Sequence, residues 1–242
     1  MLQRTRLLPL ILRRIAAAGA LALIVMAGLI WAGLIVVPGH LNPLAPLRIA
    51  DEVGLLTRFK LSRLERNGPE CLVALANAPV VHKPVSDLDM GDGCGFINAV
   101  EVTRSSIAFS RSFTATCPLM VAWALFETHV LHPAARRHLG QDVARVTHLG
   151  TYACRNINHR DAGRRSEHAS ANAIDVSGFV LADGQQISLE KDWEGSDPGR
   201  VAFLRAVRDG ACRFFDVVLS PDYNEAHRDH FHFDMGRYRA CR

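Results

Sequence analysis

The sequence lacks a surplus of positive charge outside its first fourteen residues. Its formal net charge of +4 comes from 28 Lys plus Arg against 24 Asp plus Glu. Four N-terminal arginines account for the whole surplus: Arg4, Arg6, Arg13 and Arg14. A nucleic-acid binder carries its positive charge in the folded domain, where it meets phosphates, so we expect no nucleic-acid partner. Disorder is also excluded, because 49% of the residues are hydrophobic and 21% are charged.

The sequence also lacks a CxxC motif, which argues against zinc-knuckle and thioredoxin-type chemistry. Six cysteines follow the apolar N-terminal segment: Cys71, Cys94, Cys117, Cys154, Cys212 and Cys241. An even number of cysteines outside the cytoplasm predicts three disulfides that staple the fold, and the sequence leaves their pairing open.

Residues 15–37 contain no charged side chain. As a helix these 23 residues would span roughly 34 Å, enough to cross a bilayer. The arginines precede this run, and the first charge after it is Arg48. The positive-inside rule then predicts a cytoplasmic basic tail at 1–14, a single-pass anchor at 15–37, and a C-terminal domain on the outer side of the membrane.

A cleaved signal peptide is the alternative interpretation of the same segment. The apolar region of a signal peptide usually has about 7–15 residues and precedes a small-x-small cleavage site. Here the residues that follow are Val36-Val37-Pro38-Gly39-His40. The length favours an uncleaved anchor, and the sequence leaves cleavage open.

The exported part begins with a linker at 38–59, predicted as an extended proline-containing tether (38–50) followed by an amphipathic helix at 51–65. Residues 60–242 are predicted to form one domain, in which 79–95 are rich in turn-forming residues. Strands are predicted at 97–102, 107–114, 143–154, 173–181, 186–189, 214–219 and 230–233, and helices at 118–139 (kinked or split at Pro133) and 197–209. This order predicts an α+β domain with an antiparallel sheet and flanking helices.

Two clusters of polar residues lie at predicted strand starts. His230 and His232 are two residues apart, so a strand projects them from one face, whereas Asp229 would point to the other face or lie in the preceding loop. His168 precedes a strand that contains Asp175. Two imidazoles and a carboxylate are suitable zinc ligands, and three protein ligands leave one position for water, as in catalytic sites.

These clusters resemble known signatures. His168-x6-Asp175, preceded by Ser166, resembles the S-x-H-x6-D signature of D-alanyl-D-alanine carboxypeptidases and dipeptidases and of L-alanyl-D-glutamate endopeptidases. His230-x-His232 resembles the H-x-H of the zinc-peptidase fold shared with lysostaphin-type enzymes and the hedgehog signalling domain. The surrounding cysteine frame is similar to the bacterial extensin-like C-terminal domain family over roughly residues 60–242. Three parts of the sequence carry this similarity: Gly93-Cys94-Gly95, Thr151-Tyr152-Ala153-Cys154-Arg155 and Cys241.

The resemblance implies a Zn²⁺ ion bound by three ligands: His168, Asp175 and His232. It also implies Asp229 as general base, His230 as a group that contacts the metal-bound water or the developing oxyanion, and Arg155 as a partner of a substrate carboxylate or the oxyanion. Two positions depart from the pattern. Ala171 replaces the usual glycine three residues after the first His, and the Tyr-Arg-Ser motif that contacts substrate is altered around Arg155.

The function expected from this resemblance is a membrane-anchored periplasmic zinc-dependent hydrolase of peptidoglycan peptide bonds, of carboxypeptidase or endopeptidase type. Its partners would be peptidoglycan peptides and, through the N-terminal helix, the inner membrane. The alternative is a non-catalytic cell-wall-binding or envelope structural domain on the same scaffold. His227 is left open, either as a residue supporting the site or as a surface residue.

Overall fold

The computed structural model describes residues 4–242, so the first three residues of the predicted basic tail lie outside it. Helix α1 (Arg4–Trp31) contains a 21-residue apolar stretch, Ile11–Trp31, that the domain does not cover. By length and composition this stretch fits a membrane span or a signal sequence. The charge-free run continues to Val37, but the helix ends earlier because Gly33 adopts a left-handed φ of 70°.

Six further helices follow: α2 (Leu55–Leu64), α3 (Gly68–Ala76), α4 (Cys117–Phe126), α5 (His132–Leu139), α6 (Leu189–Asp192) and α7 (Pro198–Ala211). The first six strands are β1 (Val81–Pro84), β2 (Leu88–Gly91), β3 (Cys94–Phe96), β4 (Ala99–Arg104), β5 (Ala108–Thr116) and β6 (Val143–Gly150). The last five are β7 (Ala173–Leu181), β8 (Gln186–Ser188), β9 (Val217–Leu219), β10 (Phe231–Asp234) and β11 (Ala240–Cys241).

Nine strands form one mixed sheet in the order β1-β4-β5-β6-β7-β10-β9-β11, with β8 paired to β7. The α+β class is confirmed, but the prediction of an antiparallel sheet is wrong, because β5 pairs with β6 and β9 with β11 in parallel. The reason is connectivity. Helices α4 and α5 lie between β5 and β6 and return the chain to the same end of the sheet, as a parallel pair requires.

The helix predicted at 118–139 forms as α4 and α5 joined by a π-helical segment, Glu127–Leu131. Pro133 lacks a backbone N–H and its ring would crowd the carbonyl four residues earlier. The wider π turn before Pro133 relieves this conflict without breaking the helix. All ten residues of α4 are buried, which makes this helix the centre of the core.

Helix α3 and the strands β1, β2 and β3 were not predicted. The segment Asn67-Gly68-Pro69 ends one helix, as expected, but it also starts the next. The Asn67 side chain accepts a hydrogen bond from the backbone N–H of Glu70, which caps α3. In the turn-rich region, β2 and β3 pair as a separate hairpin and β1 pairs with β4.

The predicted tether is packed on the domain. We call residues 39–50 the strap. Its Leu47 and Ile49 are buried in the core. The Lys60 ammonium donates a hydrogen bond to the Gly39 carbonyl (2.7 Å), and Arg63 donates to the Pro43 carbonyl (2.8 Å). The proline-containing segment therefore begins with a 3₁₀ turn (Gly39–Leu41) and is held on the domain by these contacts.

All six cysteines are paired, which confirms the prediction of three disulfides: Cys71–Cys117, Cys94–Cys154 and Cys212–Cys241. The first joins α3 to the start of α4. The second joins β3 to the loop after β6, beside the candidate site. The third joins the end of α7 to β11 and so holds the C-terminus on the sheet.

Candidate metal centre

Two neighbouring strands and one turn bring three ligand-type residues together. Strands β7 and β10 are antiparallel, and Asp175 lies directly opposite His232 in their register. His168 belongs to a 3₁₀ turn, Glu167–Ser170, that ends immediately before β7. The Ser166 hydroxyl caps this turn by accepting a hydrogen bond from the backbone N–H of His168. The resulting cluster of His168, Asp175 and His232 is buried.

The imidazole nitrogens of the cluster lie about 3 Å from each other, and Asp175 presents one carboxylate oxygen to each of them. His168 Nε2 lies 3.0 Å from Asp175 Oδ2, and His232 Nδ1 lies 2.8 Å from Asp175 Oδ1. The two imidazole nitrogens are 3.2 Å apart. Tetrahedral zinc, with ligand atoms about 2.0–2.2 Å away, separates neighbouring ligands by about 3.3 Å. The donor set and its spacing therefore fit a zinc ion with little rearrangement.

The far nitrogen of each imidazole faces an acceptor. His168 Nδ1 donates to the Thr151 carbonyl (3.0 Å), and His232 Nε2 donates to the Asp234 carboxylate (3.0 Å). A carbonyl oxygen can only accept, so the proton of neutral His168 lies on Nδ1 and its Nε2 lone pair points into the cluster. Such outer partners are typical of metal-binding histidines, because they fix the tautomer and the ring orientation.

Thr151 and Asp234 were missed in the sequence. Asp234 continues the alternation that places His230 and His232 on one face of a strand, so the pattern H-x-H-x-D was a signal for it. Thr151 contributes a backbone carbonyl, for which side-chain chemistry gives no signal.

Contacts within the cluster determine the charges of the Asp175 carboxylate and the His232 imidazole. Burial alone would raise the pKa of Asp175, but its contacts with the His168 and His232 imidazoles outweigh it and hold that pKa well below its usual range. Burial alone would lower the pKa of His232, but its hydrogen bonds with Asp175 and Asp234 raise it to about 9. His232 is therefore an imidazolium between two carboxylates at neutral pH. A divalent cation would take the place of its Nδ1 proton.

His230 and Asp229 form a pair beside the cluster. His230 Nδ1 donates to Asp229 Oδ1 (2.8 Å), while His230 Nε2 lies 3.7 Å from Asp175 Oδ1. Asp229 is half-exposed and lines a shallow depression with Ser177 and Glu190 on the other side of His230. The structure thus places His230 at the cluster, whereas Asp229 contacts His230 from behind.

The cluster opens into a cleft of about 580 Å³. Three guanidinium groups line it: Arg155, Arg164 and Arg242. Of these, Arg155 contacts the cluster: its Nη2 lies 3.9 Å from Asp175 Oδ2. Three carboxylates line the cleft as well: Glu167, Asp175 and Asp234. The lining therefore carries charge of both signs, and its guanidinium groups can bind anionic groups of a substrate.

His227 also lines the cleft, with its ring 5.2 Å from that of His230. Its Nδ1 donates to Asn224 Oδ1 (2.7 Å), which leaves the Nε2 lone pair free. Burial, together with the neighbouring His232 and His230, lowers the pKa of His227 to about 4. His227 therefore lines the cleft as a neutral imidazole, and its role in supporting the site stays a prediction.

Ala171, which stands where the expected motif usually has glycine, lies at the end of the turn that carries His168. It ends the 3₁₀ turn with a left-handed φ of 52°, a conformation that favours glycine. A glycine at this position would adopt the turn without strain, so the departure affects the stability of the turn and leaves the ligand geometry in place.

Fold and site together define a mixed α+β domain with a buried His-Asp-His cluster at an open, arginine-lined cleft. A family model described as the extensin-like protein C-terminus matches residues 69–242. The chain belongs to this family. No curated protein and no solved structure matches the chain, so its likeness to zinc-peptidase folds stays a prediction.

Proposed function

We propose that this protein is a zinc-dependent hydrolase of peptide bonds in peptidoglycan, anchored in the inner membrane by α1 and acting on its periplasmic side. The observation that carries the proposal is the cluster of His168, Asp175 and His232. Its three ligand atoms converge and both imidazoles are oriented from behind by acceptors. Three protein ligands beside an open cleft leave room for a water or substrate ligand, as in catalytic zinc sites.

The chain's own residues have distinct roles in this proposal. When bound, zinc supplies Lewis-acid polarisation of an amide carbonyl and lowers the pKa of water to about 7. His230, with Nδ1 held by Asp229, directs Nε2 toward the cluster, where the imidazolium form of this ring would donate a hydrogen bond to an oxyanion. His227 accepts hydrogen bonds through Nε2, because Asn224 occupies its Nδ1 proton.

The arginines favour the carboxypeptidase type within this class. Arg155, Arg164 and Arg242 line the cleft, and a guanidinium binds a carboxylate through two parallel hydrogen bonds. Peptidoglycan stem peptides end in a free carboxylate and carry others along the chain. Binding that carboxylate near the cluster would place the last peptide bond at the centre.

The alternative, a non-catalytic wall-binding domain, is supported by the position of Asp229. The expected general base does not line the cleft, because Asp229 lies in the neighbouring depression with its Oδ1 bonded to His230. The site would then hold zinc as a fixed part of a peptide-binding surface.

The first experiment measures metal in the full chain purified in detergent. We expect about one zinc per chain, lost in His168→Ala and kept in His82→Ala, a histidine on β1 outside the cluster. Equal zinc in both variants, or none in the wild type, would refute the metal proposal.

The second experiment incubates the zinc-loaded chain with isolated muropeptides and identifies products by mass spectrometry. A shortened stem peptide that is lost on chelation and in His168→Ala supports the hydrolase. Retained zinc with bound but uncut muropeptides supports the binding domain. Arg155→Lys tests the carboxylate contact, since it keeps the charge but loses the bidentate geometry; we expect a higher KM with little change in zinc content.

A further inference from the structure

Four exposed apolar side chains lie where the chain enters the domain. Leu41 and Leu44 belong to the strap and are 60% and 83% exposed; Leu55 and Phe59 belong to the first turns of α2 and are 101% and 51% exposed. We call these four residues the juxtamembrane surface. Strap and helix lie side by side, because Lys60 and Arg63 of α2 bond to the carbonyls of Gly39 and Pro43.

The connection between this surface and α1 is very short. The helix end is closed by hydrogen bonds from the N–H groups of Leu34 and Ile35 to the Leu29 carbonyl. The strap is fixed from Gly39 onward by Lys60. Only residues 36–38 lie between these two fixed points, and four peptide steps span at most about 14 Å. The domain cannot move away from the end of α1 unless the strap detaches.

We propose that the juxtamembrane surface rests in the interfacial layer of the bilayer that α1 crosses, so that the domain is seated on the membrane. The bilayer is the partner of this surface because the surface follows the anchor closely in the chain. The apolar stretch ends at Trp31, and the first exposed leucine of the strap comes ten positions later. Tryptophan is typical of the membrane interface, and apolar side chains beside it enter the headgroup boundary. The proposal rests on α1 being retained as an anchor and is independent of the metal centre.

This orientation of the domain determines where the cleft lies relative to the membrane. The strap packs at the C-terminal end of α4, where His129 of the following π segment bonds to the Ile49 carbonyl. The turn that carries His168 is attached at the other end, where the N–H of Thr116, next to α4, donates to the Ala171 carbonyl. Ten helical residues separate these attachments by about 15 Å. The metal centre is therefore displaced along α4 from the membrane-facing end.

The test uses the full chain in lipid nanodiscs and reads depth from tryptophan quenching by brominated lipids. Leu55→Trp and Phe59→Trp report on the surface, each in a Trp31→Phe background so that the anchor does not contribute. Met90→Trp is the matched control; Met90 is an exposed apolar residue (63%) on the β2–β3 hairpin, whose strand β3 packs against the His168 turn. Trp123 and Trp193 are buried and common to all variants.

We expect the added emission at positions 55 and 59 to fall by about twofold or more, because interfacial groups lie roughly 5–10 Å deep in the headgroup boundary, and that of Met90→Trp to stay unchanged. Equal quenching at all three positions overturns the proposal. Unquenched positions 55 and 59 in a chain that runs as a dimer by native mass spectrometry also overturn it, since a second copy then covers the surface. A mature chain that begins beyond residue 37 removes the anchor and overturns it as well. Zinc content decides the proposed function separately.

Discussion

Replacing Asp234 with asparagine is expected to weaken zinc binding without touching a metal ligand. The Asp234 carboxylate accepts two hydrogen bonds, from His232 Nε2 (3.0 Å) and from the N–H of Gly236 (2.8 Å). Asparagine keeps the second bond with its carbonyl oxygen. Its NH₂ group then faces His232 Nε2, where two donors would meet.

The conflict is resolved by moving the proton of neutral His232 from Nε2 to Nδ1. Nδ1 is the atom that faces His168 Nε2 and Asp175 Oδ1. Zinc binding through Nδ1 leaves the proton on Nε2, where it would point at the amide NH₂ of the variant, so the variant disfavours the tautomer that binds zinc. Loss of an outer partner typically costs 10–100-fold in metal affinity, about 1.4–2.7 kcal/mol. We expect the upper end of that range for Asp234→Asn, because the substitution removes the acceptor of His232 Nε2 and also favours the opposite tautomer.

The measurement is a competition titration of the full chain in detergent against a chromophoric zinc chelator near neutral pH. Asp229→Asn is the matched control. Asp229 also accepts a hydrogen bond from a histidine nitrogen, at 2.8 Å, and its replacement also removes one negative charge, but its partner His230 is not in the cluster. We expect its zinc affinity to stay within about twofold of the wild type.

Two results would contradict this reasoning. Unchanged affinity in Asp234→Asn would mean that His232 does not bind zinc through Nδ1. Equal weakening in both variants would mean that Asp234 acts through its charge alone, and the tautomer argument would then fail.

Three further outcomes are expected. The pKa of His232 is raised from 6.5 to about 9 in the metal-free chain, so its contribution to stability is complete below about pH 6.5 and is lost as the pH rises to about 9. Urea unfolding in the presence of a chelator should therefore show a midpoint that falls over this pH range. A midpoint that rises over the same range would contradict the prediction. Glu127→Ala removes the acceptor of three side chains, Ser105, Ser106 and Trp123, of which Ser105 and Trp123 are buried. It should cost about 3 kcal/mol, against less than about 0.5 for the exposed carboxylate in Glu225→Ala; equal midpoints would refute the role of Glu127. Replacing Cys212 and Cys241 by serine opens a loop of 29 residues and should cost about 3–4 kcal/mol, measured by the same unfolding curve, with no change in zinc content.

Local sequence patterns predicted the elements that carry the site. Strand β7 begins and ends where the alternation of apolar residues places it, at 173 and 181. Both histidine clusters fall at strand starts, as expected. The short spacing from His168 to Asp175 already limits how far apart these two residues can lie, so one half of the cluster was visible in a single segment.

The other half depended on pairing between distant segments. Asp175 and His232 are 57 residues apart and meet because β7 and β10 pair in one particular register. A shift by one residue would turn His232 to the opposite face of the sheet. The outer partner Thr151 is a backbone carbonyl placed by the end of β6, and the direction of Asp229 was decided by the loop before β10. None of these follows from side-chain chemistry alone.

The sequence by itself determined the charge-free apolar segment, the even cysteine count, the α+β class and the residue types of the cluster, because each depends on composition or on spacing within one segment. The tertiary structure decided the disulfide pairing, the two parallel strand pairs, the burial of Leu47 and Ile49 in a proline-rich strap, and the convergence of His168, Asp175 and His232. These features depend on contacts between segments far apart in the chain. Such contacts are selected by the packing of the whole core, which no single segment encodes.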